Sequence, residues 1–350
     1  MHVLQVRNVH EAFPRGIKKL VEEGNYRESR NGPVVVHPQP ITTVYERPYE
    51  RVLFWPHRDA NPFFHLYESL WMLAGRDDVD GPSRYAKNML RYSDDGETLH
   101  GAYGHRWRKF PVDAPASDID QLPIIVRQLM DDPNDRRSVL QIWDVTQDLG
   151  RSGNDVPCNT IASFQRDDQG HLDLTVFCRS NDIIWGAYGA NAVHFSMLQE
   201  YMANWIGCPI GYLYQVSVNW HAYLDVLEKF MPWYSSVISK VNFIENPYID
   251  RTVKHVPLVG CTDEIDSHIE DLLRCADTSD WIRQVNDDLE WSNIAYRMLK
   301  AHHLWRVLSD ETRFIFALEE LEHADSKADW IVAGKQWIER RYAKWQQDHL

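Results

Sequence analysis

The chain has 350 residues, and its 44% hydrophobic content is enough to bury one large core or two ordinary ones. Its formal net charge of -14 argues against a general nucleic-acid or acidic-membrane surface, because clustered Lys and Arg hold phosphate backbones. An anionic ligand would therefore need a local arginine pocket.

The cysteines and the N-terminus bear on where the protein works. The five cysteines are odd in number and form no Cys-x-x-Cys pair, so neither a disulfide framework nor a zinc ribbon is indicated. The first residues are not typical of a signal peptide, and no apolar run approaches the roughly 20 residues of a membrane span. We therefore expect a soluble cytoplasmic protein.

The N-terminal segment begins with a helical pattern. Apolar residues recur at helical spacing from Val3 to Glu23, and Gly24 follows them, which predicts one helix over this range. Arg30 then stands on a turn ahead of a predicted strand over 34–36. Taken alone, Arg30 is either a solvated turn residue or a ligand for an anion.

A second helix carries an unusual acid. Asn61 is a suitable N-cap and Gly75 a suitable end for a helix between them. Glu68 is the only acid in this apolar segment. It is either buried with a raised pKa, which suits proton transfer near neutral pH, or a helix-face acid paired with an arginine.

The middle of the chain predicts a helix followed by a strand pair. Apolar residues at helical spacing predict an amphipathic helix over 120–131, and a turn then delivers Arg136 and Arg137. The runs 156–165 and 172–177 predict paired strands.

Cys158 is the candidate nucleophile. A thiol is strongly nucleophilic as thiolate, and nearby cations lower its pKa; Arg179 is close in sequence. Two other interpretations remain: a small buried hydrophobic residue, or a hydrolase nucleophile paired with His221, for which no oxyanion-loop signature is present.

The last third is predicted to be mostly helical. A loop with Gly186 and Gly189 precedes a core helix that ends at Gly207, and one strand is predicted over 214–223. Helical runs follow over 281–307, 311–324 and 328–345.

Together these motifs resemble thymidylate synthase and its relatives, the pyrimidine nucleotide C5-hydroxymethylases. They follow the family's order and spacing: Arg136-Arg137, Trp143-Asp144-Val145, Pro157-Cys158, Arg179-Ser180-x-Asp182-x-x-x-Gly186 and His221-x-Tyr223. The resemblance spans roughly residues 30–223. It implies an α+β fold, a mixed β-sheet with surrounding helices, with a catalytic domain over 1–246 and a mostly helical extension over 247–350 packed on it.

The resemblance also implies roles for individual residues. Cys158 is the nucleophile, Glu68 the general acid or base, and Tyr103 the support of the thiol. Asp182 meets the pterin of 5,10-methylenetetrahydrofolate, and Gly186 leaves room for the ligand. No metal is implied.

Nucleotide contacts are implied as well. The phosphate is held by Arg30, Arg179 and Ser180 and, from the neighbouring subunit of a homodimer, by Arg136 and Arg137. The base and sugar are held by Asn159, Asn191, His221 and Tyr223.

Three departures from the synthase pattern favour hydroxymethylation. The family's two tryptophans ahead of the tyrosine loop are Met89 and Tyr92 here, and Asn159 replaces the histidine that follows the cysteine. The C-terminal segment that closes over the folate is not recognisable. Without this shielding, water can add to the exocyclic methylene intermediate that forms at C5 of the base, whereas a synthase would deliver hydride from the folate to it.

Thymidylate synthase remains the alternative function. A retired homologue that binds nucleotide or RNA without catalysis is a third interpretation.

The base is harder to assign. One residue is inserted before the pyrimidine-reading position, so the register falls on Ala190 or Asn191. An amide can present its donor or its acceptor to ring position 4, so Asn191 can serve uracil or cytosine. Because this loop and Asn159 both depart from the uracil pattern, the sequence favours cytidylate, as CMP or dCMP.

Overall fold

The computed structural model describes residues 2–112, 118–239, 245–260, 262–281 and 289–349. Within these ranges ten strands form two sheets. The strands are β1 (His2–Val6), β2 (Asn25–Arg27), β3 (Val34–Val36), β4 (Ile41–Tyr45), β5 (Val139–Gln141), β6 (Asn159–Arg166), β7 (Leu172–Cys178), β8 (Asn181–Asp182), β9 (Ile210–Ser217) and β10 (Trp220–Tyr223).

The helices surround these sheets. They are α1 (Val9–Glu23), α2 (Pro62–Leu73), α3 (Asp80–Ser83), α4 (Tyr103–Arg108), α5 (Leu122–Asp131), α6 (Val145–Asp148), α7 (Asn191–Ile206), α8 (Leu224–Leu227), α9 (Met231–Trp233), α10 (Thr262–Thr278), α11 (Glu290–Val307), α12 (Thr312–Glu322) and α13 (Asp329–His349). No helix among the described residues combines the length and apolarity needed to cross a membrane.

The larger sheet has the strand order β1-β4-β9-β7-β6-β5, and the smaller sheet has the order β2-β3-β10-β8. Both contain parallel and antiparallel pairs: β7 runs parallel to β9, for example, and antiparallel to β6. Mixed sheets with helices packed around them confirm the predicted α+β class.

Two predicted elements were wrong in extent. Val3 lies in strand β1, paired in parallel with β4, and the helix begins only at Val9 because the Asn8 side chain caps it by accepting a hydrogen bond from the Glu11 amide. The predicted strand over 214–223 is two strands, which belong to different sheets. Exposed Val218 lies at the break between them.

The helices next to the site follow the sequence closely. The Asn61 side chain caps α2 by accepting a hydrogen bond from the Phe64 amide at 3.1 Å. Helix α7 ends at Gly207, whose φ of 77° is a left-handed conformation that glycine adopts without strain. α7 packs on α2 and on strands β7 and β9.

Four helices lie in the described part of the C-terminal region. The predicted runs correspond to α11, α12 and α13, although residues 282–288 of the first lie outside the described residues. α10 was not predicted, although its buried hydrophobic residues recur at helical spacing: Ile265, Ile269, Leu272, Leu273, Cys275 and Ala276. α10, α11 and α13 each contact α2, the helix that carries Glu68.

Candidate active site

A cleft of about 390 Å³ lies beside the smaller sheet. Five predicted residues line it: Arg30, Arg179, Ser180, His221 and Tyr223. His221 and Tyr223 come from β10, whose parallel pairing with β8 places His221 opposite Asp182. The cleft therefore brings together residues that are nearly 200 positions apart in the chain.

Arg179 fixes the segment that leads to the thiol. Its guanidinium donates hydrogen bonds to the carbonyl oxygens of Val156 and Pro157, both at 2.8 Å. Its backbone amide donates to the Cys158 carbonyl oxygen at 2.9 Å. The same arginine thus lines the cleft and positions Cys158.

The electrostatic expectation for Cys158 was wrong in sign. Burial raises the pKa of the Cys158 thiol above its ordinary value, and this effect exceeds the lowering by Arg179 and Arg30. Asp155 adds to the increase in the pKa. The cations that the sequence placed near the thiol are present, but desolvation dominates.

Tyr103 lies next to Cys158, as expected, although it starts helix α4 and is not in a loop. Burial raises the pKa of the Tyr103 phenol well above its ordinary value, and the Cys158 thiol adds to the increase, while a hydrogen bond with the Cys158 backbone opposes it. A Cβ on Gly104 would overlap the Met72 backbone, so α4 packs directly on α2. This contact fixes Tyr103 relative to Glu68.

Glu68 is buried, as predicted, with 6% of its surface exposed. One Glu68 oxygen lies 2.9 Å from Nε2 of His194 in α7, and no arginine pairs with Glu68 among the described residues. Neither His194 nor its helix face was singled out in the sequence, where the apolar stripe of α7 obscured it.

Asp182 begins the segment after β8. The segment 183–190, predicted as a loop, is a wide π-type helical turn broken at Tyr188 and Gly189. One Asp182 oxygen accepts hydrogen bonds from the Ile184 and Trp185 amides, both at 2.7 Å. Burial raises the pKa of this carboxyl, while the Trp185, Ile184 and Tyr223 backbone amides and His221 oppose the increase.

Asn191 is the first residue of α7 and joins a buried set of amides. Its oxygen accepts a hydrogen bond from Asn159, and its nitrogen donates to Asn181. Asn159 is fully buried, and neither it nor Asn191 lines the cleft, so their contacts with base and sugar stay predictions. A Cβ on Gly186 would lie 2.8 Å from the Asn181 oxygen and 3.2 Å from the Asn191 nitrogen, so this glycine makes room for the amides.

The geometry agrees with the comparisons. The model of a family described as thymidylate synthase matches residues 11–257. The deoxyuridylate hydroxymethyltransferase of Pseudomonas phage M6 is 47% identical over 345 residues, which cover 98% of this chain and 95% of the relative. The chain belongs to the thymidylate synthase family. The family uses 5,10-methylenetetrahydrofolate to modify a pyrimidine nucleotide, so the protein is a one-carbon transferase.

Two further relatives cover less of the chain. The deoxyuridylate hydroxymethyltransferase of Bacillus phage SP01 is 37% identical over 215 residues, 60% of this chain and 55% of the relative. A putative thymidylate synthase of Methanosarcina acetivorans is 25% identical over 221 residues, 63% of this chain and 89% of the relative. These thymidylate synthase family members thus carry two different activities in their names.

Met89 and Tyr92 occupy the two positions that differ from the family's tryptophan pattern. Met89 is half-buried in a 3-10 helix, Lys87–Arg91, and packs against the core. Burial raises the pKa of Tyr92, and Tyr223 and Asp182 add to it, which places Tyr92 near both site residues.

Arg136 and Arg137 do not line the cleft of their own chain. Both are exposed, and Arg137 pairs with Asp135 at 2.8 Å while 81% of its side chain remains exposed. Among described residues of a single chain, the cleft cations are Arg30, Arg151 and Arg179.

Sequence reasoning missed several residues of the cleft wall. They are Ser29, Asn31, Trp143, Arg151 and Asn219. Arg151 lies between two glycines just ahead of Cys158, and this pattern, a cation in a glycine turn, could have been noticed. Asn219 could have been suggested by its place two residues before His221.

Proposed function

We propose that this enzyme hydroxymethylates C5 of deoxyuridine 5'-monophosphate (dUMP), with Cys158 as the nucleophile and 5,10-methylenetetrahydrofolate as the one-carbon donor. Both phage relatives described above carry the name deoxyuridylate hydroxymethyltransferase, and one of them spans nearly the whole chain. Their names favour uracil, so dUMP replaces the cytidylate that the loop around Asn191 had favoured.

The observation that carries the proposal is a thiol next to a cationic cleft. Arg179 lines the cleft and hydrogen-bonds the segment before Cys158, and the charge of Arg30 also acts on the thiol. Guanidinium groups match a phosphate dianion well. A nucleotide held through its phosphate by these arginines, with its sugar at His221 and Tyr223, would bring its base towards the thiol.

In the proposed reaction the Cys158 sulfur bonds to C6 of the pyrimidine. The electron pair of the C5–C6 double bond then makes C5 nucleophilic, so that C5 would bond to the one-carbon unit and lose its hydrogen as a proton. With the folate nitrogen as leaving group, water would add to the exocyclic methylene that remains on C5, and the thiolate leaves again when the C5–C6 double bond re-forms. The folate supplies the one-carbon unit when bound. The second oxygen of Asp182 is buried and has no side-chain partner among the described residues, so it could accept a hydrogen bond from a pterin N–H group of the folate.

We favour hydroxymethylation over methylation because water, and not hydride, is expected to react with the exocyclic methylene. Met89 stands where the family has an indole that would shield the exocyclic methylene at C5. We therefore expect water to reach this methylene from the side of Met89. Glu68, paired with His194, is the buried carboxyl that would take a proton from this water. The thymidylate synthase alternative is represented among the relatives by the archaeal protein.

We also propose a homodimer with shared sites and a boundary near residue 247. Arg136 and Arg137 are exposed and stand outside the cleft of their own chain, as expected of residues that enter a partner's cleft. The family model ends at residue 257, and the helices beyond it pack on α2, so the proposed extension would support the helix of Glu68.

One incubation tests the activity. The protein is mixed with methylenetetrahydrofolate and dUMP, UMP, dCMP or CMP, and the nucleotides are analysed by mass spectrometry. A hydroxymethyl increment on dUMP without a rise in dihydrofolate absorbance is expected. A methyl increment with dihydrofolate would establish the synthase reaction instead, and no increment on any nucleotide would contradict both.

A further inference from the structure

Three side chains outside the cleft come together from elements of both sheets. They are His2 of β1, Glu23 at the end of α1 and His37 directly after β3. A ring nitrogen of each histidine and a carboxylate oxygen of Glu23 all lie within 4.8 Å of one another. None of the three residues lines the cleft. We call them the histidine-glutamate cluster.

His37 is the fixed member of the histidine-glutamate cluster. Its side chain is 1% exposed, and its backbone amide donates a hydrogen bond to the Trp220 carbonyl oxygen at 3.0 Å. Its Nε2 atom lies 3.1 Å from a Glu23 oxygen. Zinc bonds of about 2.0–2.1 Å in a tetrahedral site separate two ligand atoms by about 3.3 Å, so this pair already has a suitable spacing. The His2 side chain is exposed and can turn towards them.

The backbone of Gln39 satisfies either tautomer of the His37 ring. Nδ1 lies 2.8 Å from the Gln39 carbonyl oxygen and 3.1 Å from the Gln39 amide nitrogen. With its proton on Nε2, the ring donates to Glu23 and accepts from the Gln39 amide. With its proton on Nδ1, the ring donates to the Gln39 carbonyl oxygen and turns an Nε2 lone pair towards Glu23, which is the usual arrangement of a metal-bound histidine. His37 can therefore take up an ion while Nδ1 keeps a hydrogen bond.

Lys19 competes with a cation for Glu23. Its Nζ atom lies 2.8 Å from both Glu23 oxygens. The hydrogen bonds of Glu23 with Lys19 and His37 lower the pKa of its carboxyl, which keeps it ionised as a metal ligand must be. A carboxylate has about four lone-pair sites, so one oxygen can stay with Lys19 while the oxygen that faces His37 binds an ion. The lysine charge should weaken such a site without abolishing it.

We propose that the histidine-glutamate cluster binds one divalent transition-metal ion, for which Zn²⁺ is the best match. Two imidazoles and one carboxylate suit zinc, whereas Mg²⁺ and Ca²⁺ prefer oxygen ligands. Water would take the fourth position. The ion would tie β1 of the larger sheet to α1 and to the end of β3 in the smaller sheet, and so stabilise the fold. This inference is independent of the proposed function, and no step of the reaction passes through the ion.

Zinc titration of the full chain tests the site. The protein carries no histidine tag, is freed of metal with a chelator and is titrated with Zn²⁺ in a calorimeter. Because thiols such as Cys158 also bind zinc, the site is identified by the difference between native protein and variants. His37→Gln should lose one equivalent, and His2→Gln and Glu23→Gln should each weaken its binding by at least about tenfold. His323→Gln, at an exposed histidine elsewhere, should bind as native protein does.

A change at Lys19 has the opposite expected sign. Lys19→Gln removes the competing positive charge and leaves all three ligands in place, so it should bind Zn²⁺ roughly threefold more tightly or better. Equal or weaker binding in this variant would contradict coordination by Glu23. His2→Gln and Glu23→Gln change exposed side chains, so they still test the site if loss of the buried His37 ring prevents folding.

The melting temperature gives a second readout. Zinc at about 100 times its dissociation constant should raise the melting temperature of native protein by roughly 3 °C or more, because an ion bound only by the folded chain stabilises it. The rise should be absent in Glu23→Gln, and Mg²⁺ should cause none in native protein. Equal zinc capacity and equal rises in native protein, His37→Gln and Glu23→Gln would overturn the inference and leave only an ion pair between His37 and Glu23.

Discussion

The Nε2 atom of His194 lies 2.9 Å from a Glu68 carboxylate oxygen, and both side chains are buried between α2 and α7. This Glu68 oxygen and both ring nitrogens of His194 make no hydrogen bond of good geometry among the described residues. His65 is alongside, and burial, with the charges of Arg58 and His194, lowers its pKa well below the ordinary value. Glu68 and His194 therefore form a buried acid-base pair with unused hydrogen-bonding capacity.

We predict that His194→Gln slows product formation by about 10²-fold or more while the dUMP dissociation constant is unchanged, because glutamine cannot exchange a proton with Glu68. Steady-state kinetics should show the loss in kcat and not in KM. Glu68→Gln should cause a similar loss, and the double variant little more, since the two residues act as a unit. A loss confined to KM would assign His194 to substrate binding.

Replacing Cys158 with Ala should abolish turnover and also the exchange of the C5 hydrogen, which requires the bond between sulfur and C6. Nucleotide binding should persist, because Arg30 and Arg179 remain in the cleft. Tritium release from C5-labelled dUMP and equilibrium binding separate these effects. Exchange that continued in this variant would refute the nucleophile assignment.

The pH dependence of thiol alkylation tests the electrostatics of Cys158. Its pKa is raised by burial, so the thiol is mostly protonated near neutral pH, and its alkylation rate should rise with pH and reach its midpoint above that of an exposed cysteine. Arg179 lowers the pKa, so Arg179→Gln should move the midpoint to still higher pH. Peptide mapping would identify the alkylated residue, and a midpoint below that of an exposed cysteine would contradict the burial effect.

The elements around Cys158 were predictable because local rules govern them. Asn61 and Gly207 bound their helices by capping chemistry, and the strand pair 159–178 alternates as a half-buried sheet does. Strand β1 was not predictable in the same way. Its partner β4 begins 35 residues after β1 ends, so the pairing that overrides the helical pattern of Val3 is not a local signal.

Non-local contacts also limited what the sequence could predict about the active site. The order of motifs indicated Cys158, Arg179 and His221, but no spacing shows that His194 faces Glu68 or that Asn159 faces Asn191. Such contacts depend on how α2, α7 and β6 pack. The predicted direction of the pKa shift of Cys158 was wrong for a related reason. The cations near the thiol can be read from the sequence, whereas its desolvation cannot.

Subunit sharing can be tested by complementation. Arg136→Ala and Arg137→Ala should each weaken phosphate binding, although neither arginine lines the cleft of its own chain. Mixed with Cys158→Ala, either variant should recover part of the activity, because one site of a mixed dimer then has both an intact thiol and intact arginines. Subunits that exchange without recovery would refute the shared site.

The branch between hydroxymethyl and methyl products depends on Met89. This side chain is half-buried at the position where the family carries an indole, so we predict that Met89→Trp hinders water and raises the methyl-to-hydroxymethyl ratio. A tenfold change in the ratio would correspond to about 1.4 kcal/mol between the two barriers. Leu90→Trp adds the same indole at the neighbouring exposed position and should leave the ratio unchanged. Equal effects of the two variants would show that Met89 does not control access of water, and exclusive methylation by the native protein would replace the hydroxymethylase assignment with the synthase.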